Sequence, residues 1–292
     1  ETSRKFTMVS WNIEGLYRQE RLLPKLWTKF SPDYIFLQET KTSTMEESSF
    51  RNNITKKGKR LFLSSWDKFE TEFIEQLRSS QRRAKHGTGI LQVQEEEILE
   101  TDTGNHRFQI ISNKEIILVN VYMPTDNGVD GAVELEICLK ELELKLDEIL
   151  GDKELFIAGD FNYQRNHMLR RKEAYESFQN KFGLTWHIPD DITYHGWRGE
   201  QSTLDHSMTS KGVKNVRYKV LTGEYFEGNV STHHPVRWTF TITTDTSPES
   251  NPNPTSQKPE AESPSLFKIR PRVDWSGGID LELYKIKESA YL

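Results

Sequence analysis

Short apolar runs recur between residues 6 and 243 and predict a domain rich in β-strands. Most of these runs lie next to Gly, Pro, Asn, Asp or Ser, which is typical of strands that end in turns. Runs this short and this numerous leave room for only a few helices. The predicted strands are Thr7–Trp11, Tyr34–Leu37, Gly89–Val93, Phe108–Ile111, Ile116–Tyr122, Leu155–Ala158, Asp205–Met208 and Val236–Ile242.

Three stretches between the runs carry apolar residues at helical spacing. The strongest is Val133–Leu150, whose leucines share one face and which Gly151 can terminate. The other two predicted helices are Arg21–Phe30 and Lys172–Phe182. Many strands with few long helices favour an α+β class in which two sheets pack against each other.

The chain divides into a folded domain and a polar tail. Residues 1–244 carry the apolar pattern, whereas residues 245–265 are rich in Pro and Ser and predict a disordered linker. Residues 266–292 regain apolar content but are too short for a core of their own. We expect this last segment either to dock back on the domain or to lead to a downstream module.

Composition narrows the class of protein. The chain has 292 residues, a net charge of −5 and a single cysteine, Cys138, which excludes an internal disulfide framework. No apolar stretch is long enough to span a bilayer, and no signal peptide precedes the domain, so we expect a nuclear or cytoplasmic location. Glu1 in place of an initiator Met indicates a fragment or a processed product. The negative charge neither favours nor excludes a nucleic-acid partner.

Polar side chains stand where several predicted strands end. Asn12 ends the first strand, and Glu39 follows the second. Carboxylate and amide oxygens are hard ligands that suit Mg²⁺. Asp160 and Asn162 follow a buried strand in Gly-Asp-Phe-Asn, where Gly159 permits a bend and strand alternation would turn both side chains to one face. Such a pair can orient a water molecule for attack on phosphorus.

Three further residues complete the candidate chemistry. Tyr122 closes an apolar run, and its phenol could donate to a phosphate oxygen. Asp205 and His233 suggest a pair in which the carboxylate fixes the tautomer of the imidazole. Taken singly, each of these residues is equally typical of a surface, turn or core position. Zinc is disfavoured because one Cys and an adjacent His pair match no zinc-site spacing.

Six short motifs occur in a fixed order, and together they resemble the endonuclease/exonuclease/phosphatase superfamily with the DNase-I-like fold. The motifs are Trp-Asn-Ile-Glu-Gly, Leu-Gln-Glu-Thr, Val-Tyr-Met-Pro, Gly-Asp-Phe-Asn, Leu-Asp-His and Ser-Thr-His-His-Pro-Val, over roughly residues 5–243. The chain most resembles the apurinic-type endonuclease domain of non-LTR retrotransposons. This resemblance implies a four-layer α/β sandwich of two packed mixed sheets flanked by helices.

The resemblance also implies a role for each matched residue. Glu39 is implied as the principal Mg²⁺ ligand, with Asn12 and Glu14 beside it, and Mn²⁺ is the alternative cation. The implied activity is Mg²⁺-dependent nicking of DNA that leaves a 3′-hydroxyl and a 5′-phosphate. The other implied roles are phosphate contact for Tyr122, orientation of the attacking water for Asp160 and Asn162, a carboxylate–imidazole pair for Asp205 and His233, and a DNA-facing loop for Thr193.

One position departs from the family pattern. Aligning the last motif on Pro235 places Thr232 where the family has an acidic residue. A neutral hydroxyl is a much weaker ligand than a carboxylate. The alternative function is therefore a catalytically impaired member that binds DNA or protein.

The substrate has to be inferred from residues outside the motifs. Two basic clusters suit contacts with a phosphate backbone, and an aromatic and basic loop could probe a groove. DNA is therefore the expected partner, together with a covalently linked reverse transcriptase module, and no membrane partner is expected. RNA or another phosphate ester is the alternative substrate. The candidate DNA-binding residues are Arg82, Arg83, Lys85, Arg165, Arg170, Arg171, Thr193, Tyr194, Trp197 and Arg198.

Overall fold

Two six-stranded sheets contain nearly all of the strands. The structure, a computed structural model, describes residues 2–65, 86–164 and 169–244. The first sheet consists, in spatial order, of β13 (Val213–Val220), β14 (Val236–Thr244), β1 (Thr2–Asn12), β2 (Tyr34–Gln38), β4 (Thr88–Gln92) and β3 (Arg60–Ser64). The second consists of β5 (Glu100–Asn105), β6 (Phe108–Ser112), β7 (Ile116–Tyr122), β8 (Glu154–Asp160), β12 (Asp205–Thr209) and β9 (Thr185–His187).

Each sheet is mixed and has a parallel pair near its centre. Strands β1 and β2 are parallel in the first sheet, and β7 and β8 are parallel in the second. The pairs β2–β4, β3–β4, β6–β7 and β8–β12 are antiparallel. A separate hairpin is formed by β10 (Tyr194–His195) and β11 (Gln201–Ser202).

Helices cover the outer faces of the sheets. A short helix α1 (Leu16–Gln19) leads through a 3₁₀ turn (Glu20–Leu22) into α2 (Leu23–Phe30), and α3 (Thr44–Thr55) follows β2. The second sheet is covered by α4 (Val129–Ile149) and α5 (Leu169–Lys181). No helix among the described residues is long and apolar enough to cross a bilayer.

Three apolar layers separate these elements. One lies between the sheets and includes Phe6, Phe36 and Phe156. A second packs the first sheet against α1, α2 and α3, and the third packs the second sheet against α4 and α5. The predicted arrangement of two packed mixed sheets flanked by helices is confirmed.

The prediction missed several elements whose apolar pattern is weak. Strand β13 carries polar residues on both faces because it is an edge strand. Strands β3 and β5 are edge strands as well. Helix α3 has little apolar content, and its start is fixed instead by the Ser43 amide, which donates to Glu46 Oε2 at 2.9 Å. Residues Ser3–Thr244 form one unit, and the predicted linker and C-terminal segment lie outside the described residues.

Candidate active site

The polar ends of the central strands meet at one edge of the two sheets. Asn12 pairs in register with Gln38 at the ends of β1 and β2, and Tyr122 pairs with Asp160 at the ends of β7 and β8. Asp205 lies opposite Asp160 at the start of β12. Side chains alternate along a strand, so each of these residues shares a face with the residue two positions away in the same strand. That face is turned to the space between the sheets. The order of strands therefore brings together residues that are far apart in sequence.

Asn12 joins the two sheets at this edge. Its amide Nδ2 donates to Glu39 Oε1 at 3.0 Å and to Asp160 Oδ2 at 2.9 Å. Its side-chain oxygen accepts a hydrogen bond from the Glu14 amide at 3.2 Å. Since Asn12 is fully buried, its donors and acceptor are fixed in these directions.

Glu39 carries a negative charge that its surroundings stabilise. Lys41 Nζ lies 2.7 Å from Glu39 Oε2, and the Tyr122 phenol donates to Glu39 Oε1 at 3.0 Å. Burial raises the pKa of Glu39, but the ion pair with Lys41 and the hydrogen bonds from Asn12 and Tyr122 outweigh burial and hold the pKa below its ordinary value. Burial and the neighbouring carboxylates raise the pKa of Tyr122, so its phenol stays protonated and remains a donor.

The oxygen atoms at and around Glu39 suit a hard divalent cation as ligands. Within residues 2–65, 86–164 and 169–244, no three His, Cys, Asp or Glu side chains converge on one metal position. Mg²⁺ does not require such a cluster, because it needs only one or two protein carboxylates and keeps several waters. Lys41 Nζ shows that a positive charge can lie against Glu39 Oε2.

Asp205, His233 and Asp160 form a buried chain of charged groups. His233 Nδ1 lies 3.0 Å from Asp205 Oδ2, and His233 Nε2 lies 3.8 Å from Asp160 Oδ2. The His233 carbonyl oxygen accepts hydrogen bonds from Trp11 Nε1 and from Asn229 Nδ2. The imidazole is thus held with one nitrogen on Asp205 and the other facing Asp160.

The ionisation of this chain follows from burial and charge. Burial lowers the pKa of His233, but the carboxylates of Asp205 and Asp160 act more strongly and raise it to about 9. Burial raises the pKa of Asp160 to about 7, although the charge of His233 acts in the opposite direction. At neutral pH, His233 is therefore an imidazolium, and Asp160 can exchange a proton.

Thr232 contacts a carboxylate instead of supplying one. Its backbone amide donates to Glu14 Oε2 at 2.8 Å, and its hydroxyl donates to Glu14 Oε1 at 3.1 Å. Glu14 has a left-handed backbone with φ 48°, which the Asn12 contact stabilises. Thr232 therefore holds both oxygens of Glu14 at the edge of the site.

Two residues of the predicted set have surroundings that differ from the expectation. Asn162 does not follow strand alternation, because β8 ends at Asp160 and Asn162 has φ 47°. Its backbone amide donates to Asp160 Oδ1, and its side chain donates to the Met123 carbonyl.

Thr193 is fully buried, and its hydroxyl accepts hydrogen bonds from the amides of Leu204 and Asp205. Direct DNA contact by Thr193 is therefore wrong, and its contacts position Asp205.

The predicted basic clusters are only partly described. Arg171 is fully buried, and its guanidinium donates to the carbonyls of Pro124, Gly131 and Asn162. The prediction that Arg171 binds DNA is therefore wrong, because backbone oxygens already use its donors. Arg170 makes two hydrogen bonds to Glu136, which offsets its charge. Arg82, Arg83, Lys85 and Arg165 lie outside the described residues.

The hairpin of β10 and β11 lies beside His233. The Tyr194 ring is 4.9 Å from the His233 ring, and Tyr194 forms a backbone bridge with His233. Trp197, at the turn of the hairpin, is 85% exposed, and Arg198 is also exposed. Contact of Tyr194, Trp197 and Arg198 with DNA stays a prediction that this position favours.

Several residues of the site escaped the sequence reasoning. Lys41 could have been found because it follows Glu39 by two positions. Asn120 could not, although it bridges the sheets through Gln38 Nε2 at 2.7 Å and through the carbonyls of Leu37 and Gly89. Arg107 lies 5.0 Å from the centre of the Tyr122 ring, and no local pattern signals that contact.

The ionisation of His233 predicts a pH-dependent contribution to stability. Its pKa is about 9 in the folded protein, against about 6.5 in an unfolded chain, so the stabilisation is complete below about pH 6.5 and is lost as the pH rises through about 9. We expect the free energy of unfolding lost in His233→Gln to be largest at pH 6 and smaller by on the order of a few kcal/mol at pH 10. Urea unfolding of both proteins in EDTA measures this, and an equal loss at both pH values would contradict it.

The Glu14 contact predicts the effect of placing an acid at position 232. In Thr232→Asp, a second carboxylate would face Glu14, so we expect a lower melting temperature in EDTA than for the isosteric, neutral Thr232→Asn. Mg²⁺ should raise the melting temperature of Thr232→Asp more than that of Thr232→Asn. Equal melting temperatures of the two variants in EDTA would show that Glu14 does not lie against position 232.

Comparison with known proteins gives the family of this chain and solved structures with a similar fold. The sequence matches the Endonuclease/Exonuclease/phosphatase family over residues 9–224. No curated protein matches the chain. The structure is similar to that of the 3′ phosphatase NExo from Neisseria bound to a product DNA hairpin, with 18% identity, a TM-score of 0.62 and coverage of 80% of this chain and 99% of that one.

Two further solved structures share the fold. One is an AP endonuclease from Archaeoglobus fulgidus, with 14% identity, a TM-score of 0.60 and coverage of 80% of this chain and 99% of the other. The second is an endonuclease/exonuclease/phosphatase family protein from Bacteroides thetaiotaomicron. It has 15% identity and a TM-score of 0.55, with coverage of 83% of this chain and 96% of that one. Since the sequence match extends over most of the domain, this chain belongs to the Endonuclease/Exonuclease/phosphatase family.

Proposed function

We propose that this protein is a Mg²⁺-dependent endonuclease that nicks DNA and leaves a 3′-hydroxyl and a 5′-phosphate, as in target-site cleavage by a retrotransposon. The observation that carries the proposal is the unbroken chain of contacts from Glu39 through Asn12 and Asp160 to His233. In such a chain, Glu39 would bind the cation, Asp160 would accept a proton, and His233 would supply an imidazolium beside them. Each of these three functions would accelerate hydrolysis of a phosphodiester.

Asp160 is the proposed proton acceptor. Its pKa, which burial raises to about 7, suits a group that accepts a proton from water near neutral pH. Asn12 and the Asn162 amide each donate to its carboxylate, so both oxygens are fixed in direction. Asp160 can therefore orient a water molecule as well as deprotonate it.

His233 and Tyr122 are the proposed donors to the phosphate. The imidazolium of His233 is held by Asp205 and would stabilise negative charge that develops on phosphate oxygens. Tyr122 keeps its proton and now donates to Glu39, from which it could turn to a phosphate oxygen. His233 is held by Asp205 before substrate binds, which lowers the cost of reorganisation, whereas Tyr122 would first have to leave Glu39.

Glu39 and Glu14 would hold the divalent cation, and Asn12 would join them if its side-chain oxygen turned away from the Glu14 amide. When bound, Mg²⁺ or Mn²⁺ supplies a Lewis acid that offsets charge on the phosphate. Lys41 would have to release Glu39 Oε2, to which it is ion-paired at 2.7 Å. Thr232 would keep the Glu14 carboxylate at the edge of the same site.

DNA is the proposed substrate class. Exposed Trp197 and Arg198 stand on the hairpin beside His233, where they could contact a duplex. The Neisseria protein is named as a 3′ phosphatase bound to a DNA hairpin, and the Archaeoglobus protein as an AP endonuclease. A nuclear or cytoplasmic location and a linked reverse transcriptase beyond the domain belong to the same proposal.

A second candidate function rests on Thr232, which replaces the family acid. In that case the protein would bind DNA or protein without cleaving. Two hydrogen bonds from Thr232 to Glu14 favour an active site instead, since they keep a carboxylate at this edge. A plasmid-nicking experiment distinguishes the nuclease from the binding protein.

Conversion of supercoiled plasmid to open circle tests the proposal. We expect nicking with Mg²⁺ and none in EDTA, and we expect Glu39→Ala to lower the rate at least ~10²-fold because the main cation ligand is lost. The matched control is Glu97→Ala, whose side chain is 71% exposed on the segment that follows the far end of β4.

The nicked product should support extension by a DNA polymerase without prior treatment, because its 3′ end is a free hydroxyl. A nicking rate in Glu39→Ala equal to that of the wild type would show that Glu39 is not required for cleavage. A folded protein that binds plasmid but never nicks it would instead favour the impaired binding member.

A further inference from the structure

Basic residues recur at four-residue intervals along one side of α2 and the 3₁₀ turn before it. Arg21, Lys25 and Lys29 are exposed and lie on the same side, because four residues make slightly more than one helical turn. Lys219 and Arg237, on β13 and β14, extend the row on the neighbouring strands. We name these five residues the basic strip.

Aromatic rings underlie the basic strip. Lys29 Nζ lies 5.5 Å from the centre of the Phe30 ring and donates to the Tyr225 carbonyl at 2.6 Å. Lys219 Nζ lies 3.4 Å from the centre of the Tyr225 ring, and the Arg237 guanidinium lies 5.8 Å from that of Phe30. Since Phe30 and Tyr225 pack on the apolar layer beneath, they hold the cations in place.

A groove of about 490 Å³ runs between α2 and the loop that contains Tyr225. Each wall of the groove is connected through the chain to the candidate active site. The helical wall begins at Pro24, which follows Glu14 after α1 and the 3₁₀ turn, and the loop wall ends at Glu227, a short loop before Thr232 and His233. The groove is lined by Pro24, Lys25, Thr28, Lys29, Tyr225, Phe226 and Glu227.

Positive charge predominates along the basic strip. Among the residues that the structure describes, no carboxylate lies in an ion pair with Arg21, Lys25, Lys29, Lys219 or Arg237. Glu227 is the acidic residue on the groove wall. A cationic row of this kind suits a polyanionic ligand.

We propose that the basic strip binds the phosphate backbone of the nucleic acid that flanks the cleavage site. This inference rests on the proposed function, to which it adds a second contact surface. From Arg21 to Lys29 the helix extends about 12 Å, which matches the rise of about four base pairs along the axis of a duplex. The contact is independent of base sequence, because lysines and arginines at this spacing reach phosphates and not base edges.

An anionic membrane is the less suitable ligand for the same charges. Proteins that lie on a membrane surface usually add exposed apolar side chains that insert beside their basic residues, because charge alone contributes only about 1 kcal/mol per Lys or Arg. None of the large exposed apolar side chains of the described residues belongs to the basic strip or to the groove walls. The row of charges with half-buried rings therefore favours a nucleic-acid backbone.

The test compares two double variants that remove the same charge. Lys25→Gln with Lys29→Gln alters the basic strip, whereas Lys140→Gln with Lys172→Gln alters the exposed side of α4 and α5 in the opposite helical layer. Binding of a fluorescent 30-base-pair duplex is measured by anisotropy in EDTA at several salt concentrations. Thermal melting confirms that both double variants are folded.

We expect the strip variant to bind roughly tenfold more weakly at 0.1 M salt, with a salt slope smaller by about 2. The control variant should bind as the wild type does. A duplex too short to extend from the site onto α2 should bind all three proteins equally. Equal affinity and slope for all three proteins on the long duplex would overturn the inference, as would the absence of duplex binding by the wild type.

Two further measurements separate this inference from the proposed function. Nicking in Mg²⁺ tests catalysis, so a strip variant that binds weakly while the wild type fails to nick would support the surface and refute the nuclease. Binding to vesicles of phosphatidylserine and phosphatidylcholine tests the membrane. If the strip variant loses vesicle binding but keeps duplex binding, the ligand is a lipid surface and the inference is wrong.

Discussion

The site depends on one amide, that of Asn12, which holds two carboxylates from different sheets. Glu39 follows β2 of the first sheet and Asp160 ends β8 of the second, and both accept hydrogen bonds from Asn12 Nδ2. Two carboxylates this close would repel each other without a shared donor. The carbonyl of Asn12 also accepts a hydrogen bond from Ser231, at 2.6 Å, which fixes the loop that carries His233.

Charge balance explains why the site tolerates its burial. Asp160, Asp205 and His233 are all buried, and an unpaired charge in this position would cost several kcal/mol. His233 as an imidazolium lies between the two carboxylates, and Lys41 offsets Glu39 at the more exposed edge. The same arrangement leaves Asp160 with a raised pKa, which is the property that catalysis would use.

Much of the fold was predictable from the sequence, because short apolar runs define the strands of two sheets and a few helical stretches define the helices that cover them. The candidate residues were predictable where a strand ends, since Asn12, Tyr122 and Asp160 each follow an apolar run. Partners distant in sequence were not predictable. The contact of Thr232 with Glu14 depends on how the last loop returns to β1, and no local pattern encodes that return.

Two predictions of DNA contact were wrong because the polar side chain is buried in the protein. Arg171 seemed to be part of a basic cluster, but its length lets the guanidinium reach backbone carbonyls inside the protein. Thr193 is small enough to be enclosed beside β12, where it holds two amides. In both cases the residue type suits either a surface or an interior role, and only the surrounding backbone decides between them.

The most direct test of this account is the plasmid-nicking rate of Asn12→Asp, a change that keeps the size of the side chain and removes its donor. A third carboxylate against Glu39 and Asp160 should lower the rate at least ~10²-fold at neutral pH. Asn215→Asp, at an exposed position on β13, is the matched control. A rate equal to that of the wild type in Asn12→Asp would show that the site does not depend on this amide.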